Sequence, residues 1–453
     1  MGAGLLAIGA SASGALAGGF ALREQSAYYQ GMSFAGIAAG DGLSAIFWNP
    51  AAVANFDGTN TSSTYTLIIP HAEIHVNDVD VPHGPIVSRV APITADLGGF
   101  DSAGADSGDI AGMALTSASY ANYQVSQNLY VGMSFNGPFG LATEPDEDLH
   151  YLGSVLARTG KLFTLNGSPT IGFKLAPGLM IGGGAQIEWA EGTFKFATGS
   201  PVTDSTSFKG DDWAFGGTAG VLWQPSSSTS IGLGWRSQLS HTLEGTFKTP
   251  ETVVPLNLVL GGVIVGTTQL RIAETATKAE VDLELPDIVT LSLRQKLSSS
   301  MRVSGTVEWT NWSRFQELNL KAAADGVLGD GTVVAKGDTI ALIEANWDDG
   351  WFFALGGEFD WTDAITLRGG VAYEISPVDD PTKRIISIPD SDRVWLSTGL
   401  TYHQSATTTV DVGATFIFLE DAEFDRTSTS GVHLTGETQA HTVILSAGLN
   451  TKW

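Results

Sequence analysis

Asp212-Trp213-Ala214-Phe215-Gly216-Gly217-Thr218-Ala219-Gly220-Val221-Leu222-Trp223 alternates with period two. Trp213, Phe215, Gly217, Ala219, Val221 and Trp223 share one face of an extended strand, and Ala214, Gly216, Thr218, Gly220 and Leu222 share the other. Gly350–Trp361 repeats the design, with Trp351, Phe353, Leu355, Gly357, Phe359 and Trp361 outward and Glu358 and Asp360 inward. In both stretches the two tryptophans stand ten residues apart. At about 3.3 Å per residue and a tilt near ~40°, such a strand covers about 25 Å of membrane normal. That is the apolar height of an outer-membrane wall with an indole at each interface. A β-sandwich also buries one face, but nothing in it fixes aromatics at this spacing.

Read outward from these two stretches, period-two patterning gives about fourteen strands between Thr59 and Trp453. Their connections sort by parity. Those after the even-numbered strands are tight: Val125-Ser126-Gln127, Ala176-Pro177-Gly178, Pro225-Ser226-Ser227-Ser228, Leu297-Ser298-Ser299-Ser300, Trp361-Thr362-Asp363 and Gln404-Ser405-Ala406. Those after the odd-numbered strands are long, as at 71–110 and 249–278. A soluble sheet has no reason to sort its connections this way. A bacterial outer-membrane barrel does, with short turns in the periplasm and long loops outside. The expected fold is therefore all-β: a transmembrane antiparallel barrel over residues 57–453.

The termini agree. Residues 1–17 are small and apolar and end Ala15-Leu16-Ala17, a signal-peptidase pattern that predicts cleavage before Gly18, although no Lys or Arg precedes the apolar run. At the other end, Val443, Leu445, Ala447, Leu449, Thr451 and Trp453 form one face of a last strand that closes on an aromatic residue. Beyond the first segment the chain has no apolar run of the length a helical span needs. It carries no Cys, which suits passage through an oxidising periplasm. A formal charge of -25 argues against nucleic acid as a partner. Acidic loops such as Asp146-Glu147-Asp148 are expected to meet the divalent cations that bridge lipopolysaccharide, and a saline habitat would account for the charge as well.

Residues 18–56, rich in Gly and Ala, do not read as wall. Phe20-Ala21-Leu22-Arg23-Glu24, then Ala38–Leu43 and Asn49-Pro50-Ala51, resemble the lumenal hatch of the FadL family of outer-membrane transporters for long-chain fatty acids and other hydrophobic compounds. The resemblance continues in order through Phe139–Glu144, Asp212–Val221, Trp235-Arg236-Ser237, Leu283-Glu284-Leu285-Pro286, Trp309–Phe315 and Ile386–Arg393. It implies a fourteen-stranded barrel plugged by an amino-terminal hatch. It also implies passive uptake: capture in an external apolar groove, an internal pocket, hatch movement and lateral release through the wall. An aqueous pore would not serve such cargo, because apolar solutes partition poorly into water.

Each step has candidate residues. Val253, Val254, Leu256, Leu258, Leu260, Val263 and Val265 form an apolar stretch where a solvated loop is expected, either a capture groove or a lid. Gly137-Pro138-Phe139-Gly140 interrupts the third strand with a residue that cannot donate to a ladder, which marks a kink, a bulge or a strand end; the resemblance makes it a lateral opening. Asn49-Pro50-Ala51 fits a turn by its own chemistry and a hatch latch by resemblance. Lys195, between Phe194 and Phe196, is the head-group candidate, since a carboxylate needs a cation or donor in a greasy pocket. A second family cation has no match at Asn346-Trp347-Asp348-Asp349, and the 197–211 loop is short. Both departures leave room for monoaromatic or other neutral hydrocarbons.

Other functions fit less well. His71, Glu73 and His75 share a face at a metal-ligand spacing but lack a fixed fourth ligand. His241, His403, His433 and His441 are dispersed, and no motif singles out a Ser for a barrel hydrolase. A general polar-solute porin conflicts with a filled lumen. The reading is of a non-enzymatic protein of the Gram-negative outer membrane, expected to be a monomer, with no cofactor and no metal. Its partners would be a long-chain fatty acid or other hydrophobic small molecule, lipopolysaccharide and outer-membrane lipid, and the barrel-assembly machinery. Epitope tags near Asp101 and near Thr267 should be reached by antibody on intact cells; labelling only of a tag within Pro225–Ser228 would invert the topology.

Overall fold

A computed structural model describes residues 18–81, 84–85, 93–145, 150–260, 263–428 and 431–453. The signal-peptide expectation at 1–17 and Asp146-Glu147-Asp148 lie outside these residues. Fourteen antiparallel strands form a closed wall among them. In chain order they are β1 (Thr59–Asp80), β2 (Ala114–Gln124), β3 (Leu129–Asn136, resuming at Gly140–Thr143), β4 (Thr159–Ala176), β5 (Leu179–Ala197), β6 (Ser205–Ser226) and β7 (Thr229–Arg236 and Leu239–Thr249). There follow β8 (Thr275–Leu285 and Ile288–Lys296), β9 (Met301–Thr310 and Glu317–Ala322), β10 (Thr339–Glu344 and Gly350–Thr362), β11 (Ile365–Ile375), β12 (Arg393–His403), β13 (Thr408–Leu419 and Ala422–Thr427) and β14 (His433–Lys452). Neighbours in sequence pair as neighbours in space. β14 returns to β1 over a register running from Asn60↔Lys452 to Asp80↔His433, so the wall has no free edge there.

The alternation read in the sequence is the alternation of the wall. Trp213, Phe215, Val221 and Trp223 are exposed on β6 while Ala214, Thr218 and Leu222 are buried; on β10, Trp351, Phe353, Leu355, Phe359 and Trp361 are exposed and Phe352, Ala354 and Glu358 buried. All six tight turns fall where the parity argument put them. The long connections are shorter than the sequence implied, because strands continue past the apolar band. β1 runs on through His71–Asp80, β4 begins at Thr159 and β6 at Ser205, so most of 197–211 is strand. Apolar residues cease where the lipid ends, yet backbone pairing persists in water with polar outer residues such as Glu73 and His75. The 249–278 connection is likewise a hairpin, Thr252–Leu260 with Val263–Ile272, extended by Ile93–Leu97 into a small external sheet.

Residues 18–56 fold into three short helical turns inside the wall, buried almost throughout. Segment and wall are joined by hydrogen bonds: Gly36 N to Thr306 Oγ1 (2.8 Å), Ala38 N to Ser292 Oγ (3.1 Å), and Ser230 Oγ to Ala39 O (2.6 Å). Such close approach needs wall positions without side chains. A Cβ on Gly232 would lie 1.8 Å from Ala38 O, and one on Gly234 1.8 Å from Trp48 O. Gly232→Ala therefore forces a backbone shift worth about 1–3 kcal/mol. Amide exchange of residues 36–49 should accelerate in this variant while that of β5 and β6 is unchanged.

Candidate cargo path

The inner faces of β3 to β10 converge on an apolar cluster in the outward half of the barrel. At its inner end Phe20 sits in an aromatic cage, with ring centroids 4.7 Å from Trp312, 5.4 Å from Phe315, 6.0 Å from Trp347 and 6.2 Å from Phe139. Trp312 and Phe315 reach inward because β9 breaks into a short 3-10 turn at Trp312–Arg314. Leu162, Phe208, Leu243, Leu283, Leu320 and Ile388 continue the cluster. Toward the outside it opens into a narrow apolar cavity bordered by Leu156, Phe194, Phe196, Phe208, Leu318 and Leu320. An adjoining compartment shares Leu156, Phe196 and Ile343 and reaches Ile385, Ile386 and Arg426.

Two cations border this space. Lys195 lines the first compartment, but alternation along β5 sets buried Glu188 and Ala190 on the inner face with Phe194 and Phe196, and Lys195 on the other. Sequence reasoning passed over Arg426, which lies on the rim of the second compartment in the external extension of β13. Its guanidinium donates to Thr382 O and to Glu344 O (2.6 Å), neutral acceptors. Burial lowers its pKa from the ordinary value, against the opposing pull of Glu344 and Asp425.

The third strand is where the wall is incomplete. β2 and β3 pair only from Ser119↔Phe135 to Gln124↔Tyr130, and contact resumes at an isolated bridge, Ala111↔Thr143. Between these points Gly137-Pro138-Phe139 forms a bulge against β4, with three residues facing Thr164 and Leu165. The backbone that β3 withholds from β2 is taken by the amino-terminal segment: Leu22 N donates to Pro138 O (2.8 Å), Gly140 N to Phe20 O (2.9 Å), and the Gln25 amide to Gly137 O (2.8 Å). Among the described residues Ser134 Oγ lies buried beside the gap without a hydrogen-bond partner.

Asn49 caps the turn Pro50–Asn55 through Ala51 N (3.1 Å), and its amide donates to Ala38 O (2.9 Å) and to Val221 O of β6 (3.0 Å). Asn49-Pro50-Ala51 thus ties the lumenal segment to itself and to the wall. In the external hairpin Val253, Leu260, Val263 and Val265 are exposed, Leu256 and Leu258 half-buried, and Val254 buried. At the turn side a wider cleft is polar and crossed by ion pairs of Arg302 and Arg368 with Glu358 and Asp360, which suits water rather than apolar cargo.

Among the described residues the remaining candidates lie apart, each with its own partner. His71 Nδ1 is 2.9 Å from Asp109 and His75 Nδ1 2.5 Å from Asp106, with both histidines on strand β1 rather than in a loop. His241 lies between Glu188 and Asp212, each at 3.5 Å; His403 bonds Thr366, His433 bonds Asp425, and His441 stacks on Phe416.

The family model for outer membrane protein transport proteins (OMPP1/FadL/TodX) matches residues 8–453. The chain belongs to this family. It is 26% identical to a long-chain fatty acid transport protein of Escherichia coli O6:H1, over 90% of this chain and 88% of the relative. Among solved structures, a Pseudomonas aeruginosa FadL homologue superposes with a TM-score of 0.76 at 20% identity, covering 96% of this chain and 99% of that one. The Ralstonia pickettii toluene transporter TbuX superposes with a TM-score of 0.61 at 15% identity, covering 94% and 97%. The protein is accordingly an outer-membrane barrel of a Gram-negative cell, in a family of transporters rather than enzymes.

Proposed function

We propose that this barrel takes up long-chain fatty acids, or similar hydrophobic molecules, by passive diffusion. The observation that carries the reading is the gap at Gly137–Gly140, which borders the apolar cluster on one side and the lipid-facing wall on the other. Cargo is caught on the exposed apolar edge of the external hairpin at Val253, Leu260, Val263 and Val265. It then enters the two-compartment cavity, passes the aromatic cage when residues 20–25 withdraw, and leaves sideways into the membrane. Lateral exit avoids the polar cleft at the turn side, where an acyl chain would lose its apolar surroundings. Asn49-Pro50-Ala51 acts as the latch that holds the moving segment to β6.

Arg426 is the proposed partner of a cargo carboxylate, since its guanidinium holds only carbonyl oxygens and keeps donors for a charged acceptor. A second reading, uptake of neutral hydrocarbons, is favoured by the inner end of the path, where Arg23 and Arg393 are already engaged by Glu308, Glu374 and Asp390 rather than offered to a carboxylate, and by the neighbour named a toluene transporter.

Replacing Pro138 with Val should let β3 pair further and narrow the exit, so uptake falls while heat-modifiability stays normal. Unchanged transport in an assembled variant would reduce Pro138 to a strand break. For cargo, a charge-assisted hydrogen bond is worth roughly 1.5–3 kcal/mol, or about 10- to 150-fold in affinity. Arg426→Met should weaken oleate binding by that order and leave toluene binding unaltered, while Lys195→Met changes oleate binding little. Oleate weakened only by Lys195→Met would return the head group to Lys195. Tight toluene binding with none for oleate would establish the hydrocarbon reading.

A further inference from the structure

Directly beneath the aromatic cage lies a buried ionic network that is short of positive charge. Arg23 pairs with Glu308 and, through Nη2 at 3.0 Å, with Glu374. Arg393 pairs with Asp390 and lies 3.7 Å from Glu374. All five side chains are at most 8% exposed. Two guanidinium groups thus pair with three carboxylates, and a third, Arg236, acts on Glu308 from further away, which leaves Glu374 and Asp390 as the acid-rich side of the network. Glu24, beside Arg23 and buried with neither carboxylate oxygen partnered, adds acid rather than base. Unpaired buried charge is costly, so a network of this kind calls for another cation.

The first described residues run into that network. Gly18, Gly19 and Phe20 are buried. Gly19 N donates to Asp390 Oδ2 at 3.1 Å. A Cβ on Gly18 would lie 2.4 Å from Glu374 Oε1. That contact puts the Gly18 nitrogen within about 5 Å of the same oxygen. A Cβ on Gly19, where φ is +63°, would lie 2.7–2.9 Å from the rings of Trp312 and Trp347. Gly19 therefore excludes a larger residue, whereas at Gly18 a Cβ would have to displace the Glu374 carboxylate, and both follow directly on Ala15-Leu16-Ala17, the expected cleavage signal.

We propose that the network is a receptor for the processed amino terminus: cleavage after Ala17 creates an α-ammonium on Gly18 that supplies the missing positive charge beside Glu374 and Asp390. Glu374 and Asp390 then face a third cation in addition to Arg23 and Arg393. Processing and closure of the lumen are thereby one event. A chain that keeps its leader has an uncharged amide at Gly18 and cannot complete the network. The ammonium also fixes Phe20 in the aromatic cage, so the inner wall of the cargo path is built from the mature end of the chain.

The test uses the intact barrel purified from outer membranes. Mass spectrometry of the amino-terminal peptide should find Gly18 as the first residue. A small amine-acylating reagent near pH 7 favours α-amino groups over lysines, because their pKa is lower. In the folded barrel Gly18 should acylate at least tenfold more slowly than in the same protein unfolded in urea. Glu374→Gln, and separately one Ala inserted between Ala17 and Gly18, should each restore much of the unfolded rate. A first residue other than Gly18, or equal acylation of folded and unfolded protein, overturns the proposal, and this comparison stands even if a variant fails to assemble. No cargo enters the readout, so its failure is distinct from a failure of the transport reading.

Discussion

A strand that leaves its neighbour inside a membrane exposes backbone groups that lipid cannot satisfy, and the rest of this barrel is arranged around that one constraint. Pro138 and its flanking glycines prevent β3 from staying on β2. The orphaned carbonyls and amides of Gly137, Pro138 and Gly140 are met instead by Gln25, Leu22 and Phe20. The amino-terminal segment thus completes the hydrogen bonding of the wall as well as occupying the lumen. In the proposed function its withdrawal would unblock the apolar cluster and open the gap beside it.

The lumen divides by chemistry along its height. The outward half, from the external cavity to the aromatic cage, is apolar. The half near the short turns is a lattice of paired charges, with Arg302, Arg368, Glu358, Asp360 and Asp411 interlocked around Tyr28 and Arg294 bound to Asp41. Between the two halves sits the network of Arg23, Arg393, Glu308, Glu374 and Asp390. In the proposed function an apolar solute moving inward would meet a rising cost of continuing straight on and a lower one of turning toward the gap. Inner-face glycines such as Gly232 and Gly234 let the segment lie close against the charged half without side chains in between.

The wall was legible in the sequence because lipid imposes a strict period of two and a fixed aromatic spacing, both visible at Trp213–Trp223 and Trp351–Trp361. A disruption of the third strand was legible at Pro138 as a kink, a bulge or a strand end, since proline has no amide to give; that it is a bulge came only from the pairing with β4. What could not be read was anything set by contacts distant in sequence. Arg426 looks like an ordinary strand cation until β13 carries it to the cavity rim. Lys195 looks like a pocket residue from its two phenylalanine neighbours and does line the first compartment, although by alternation it stands on the other face of β5. The strand ends were misjudged for a related reason: hydrophobicity reports where lipid ends, whereas the hydrogen-bonded ladder continues to Asp80 on β1.

The most direct measurement exploits a chain without native cysteine. Ala21 and Phe139 face each other as a non-hydrogen-bonded antiparallel pair, a geometry with Cα atoms about 4.5 Å apart that a disulfide can bridge. In the double variant Ala21→Cys, Phe139→Cys, uptake of labelled oleate is measured before and after reduction. If the amino-terminal segment is the closure of the wall gap, the oxidised barrel should be inactive and the reductant should restore transport. Equal uptake in the oxidised and reduced protein would contradict the account.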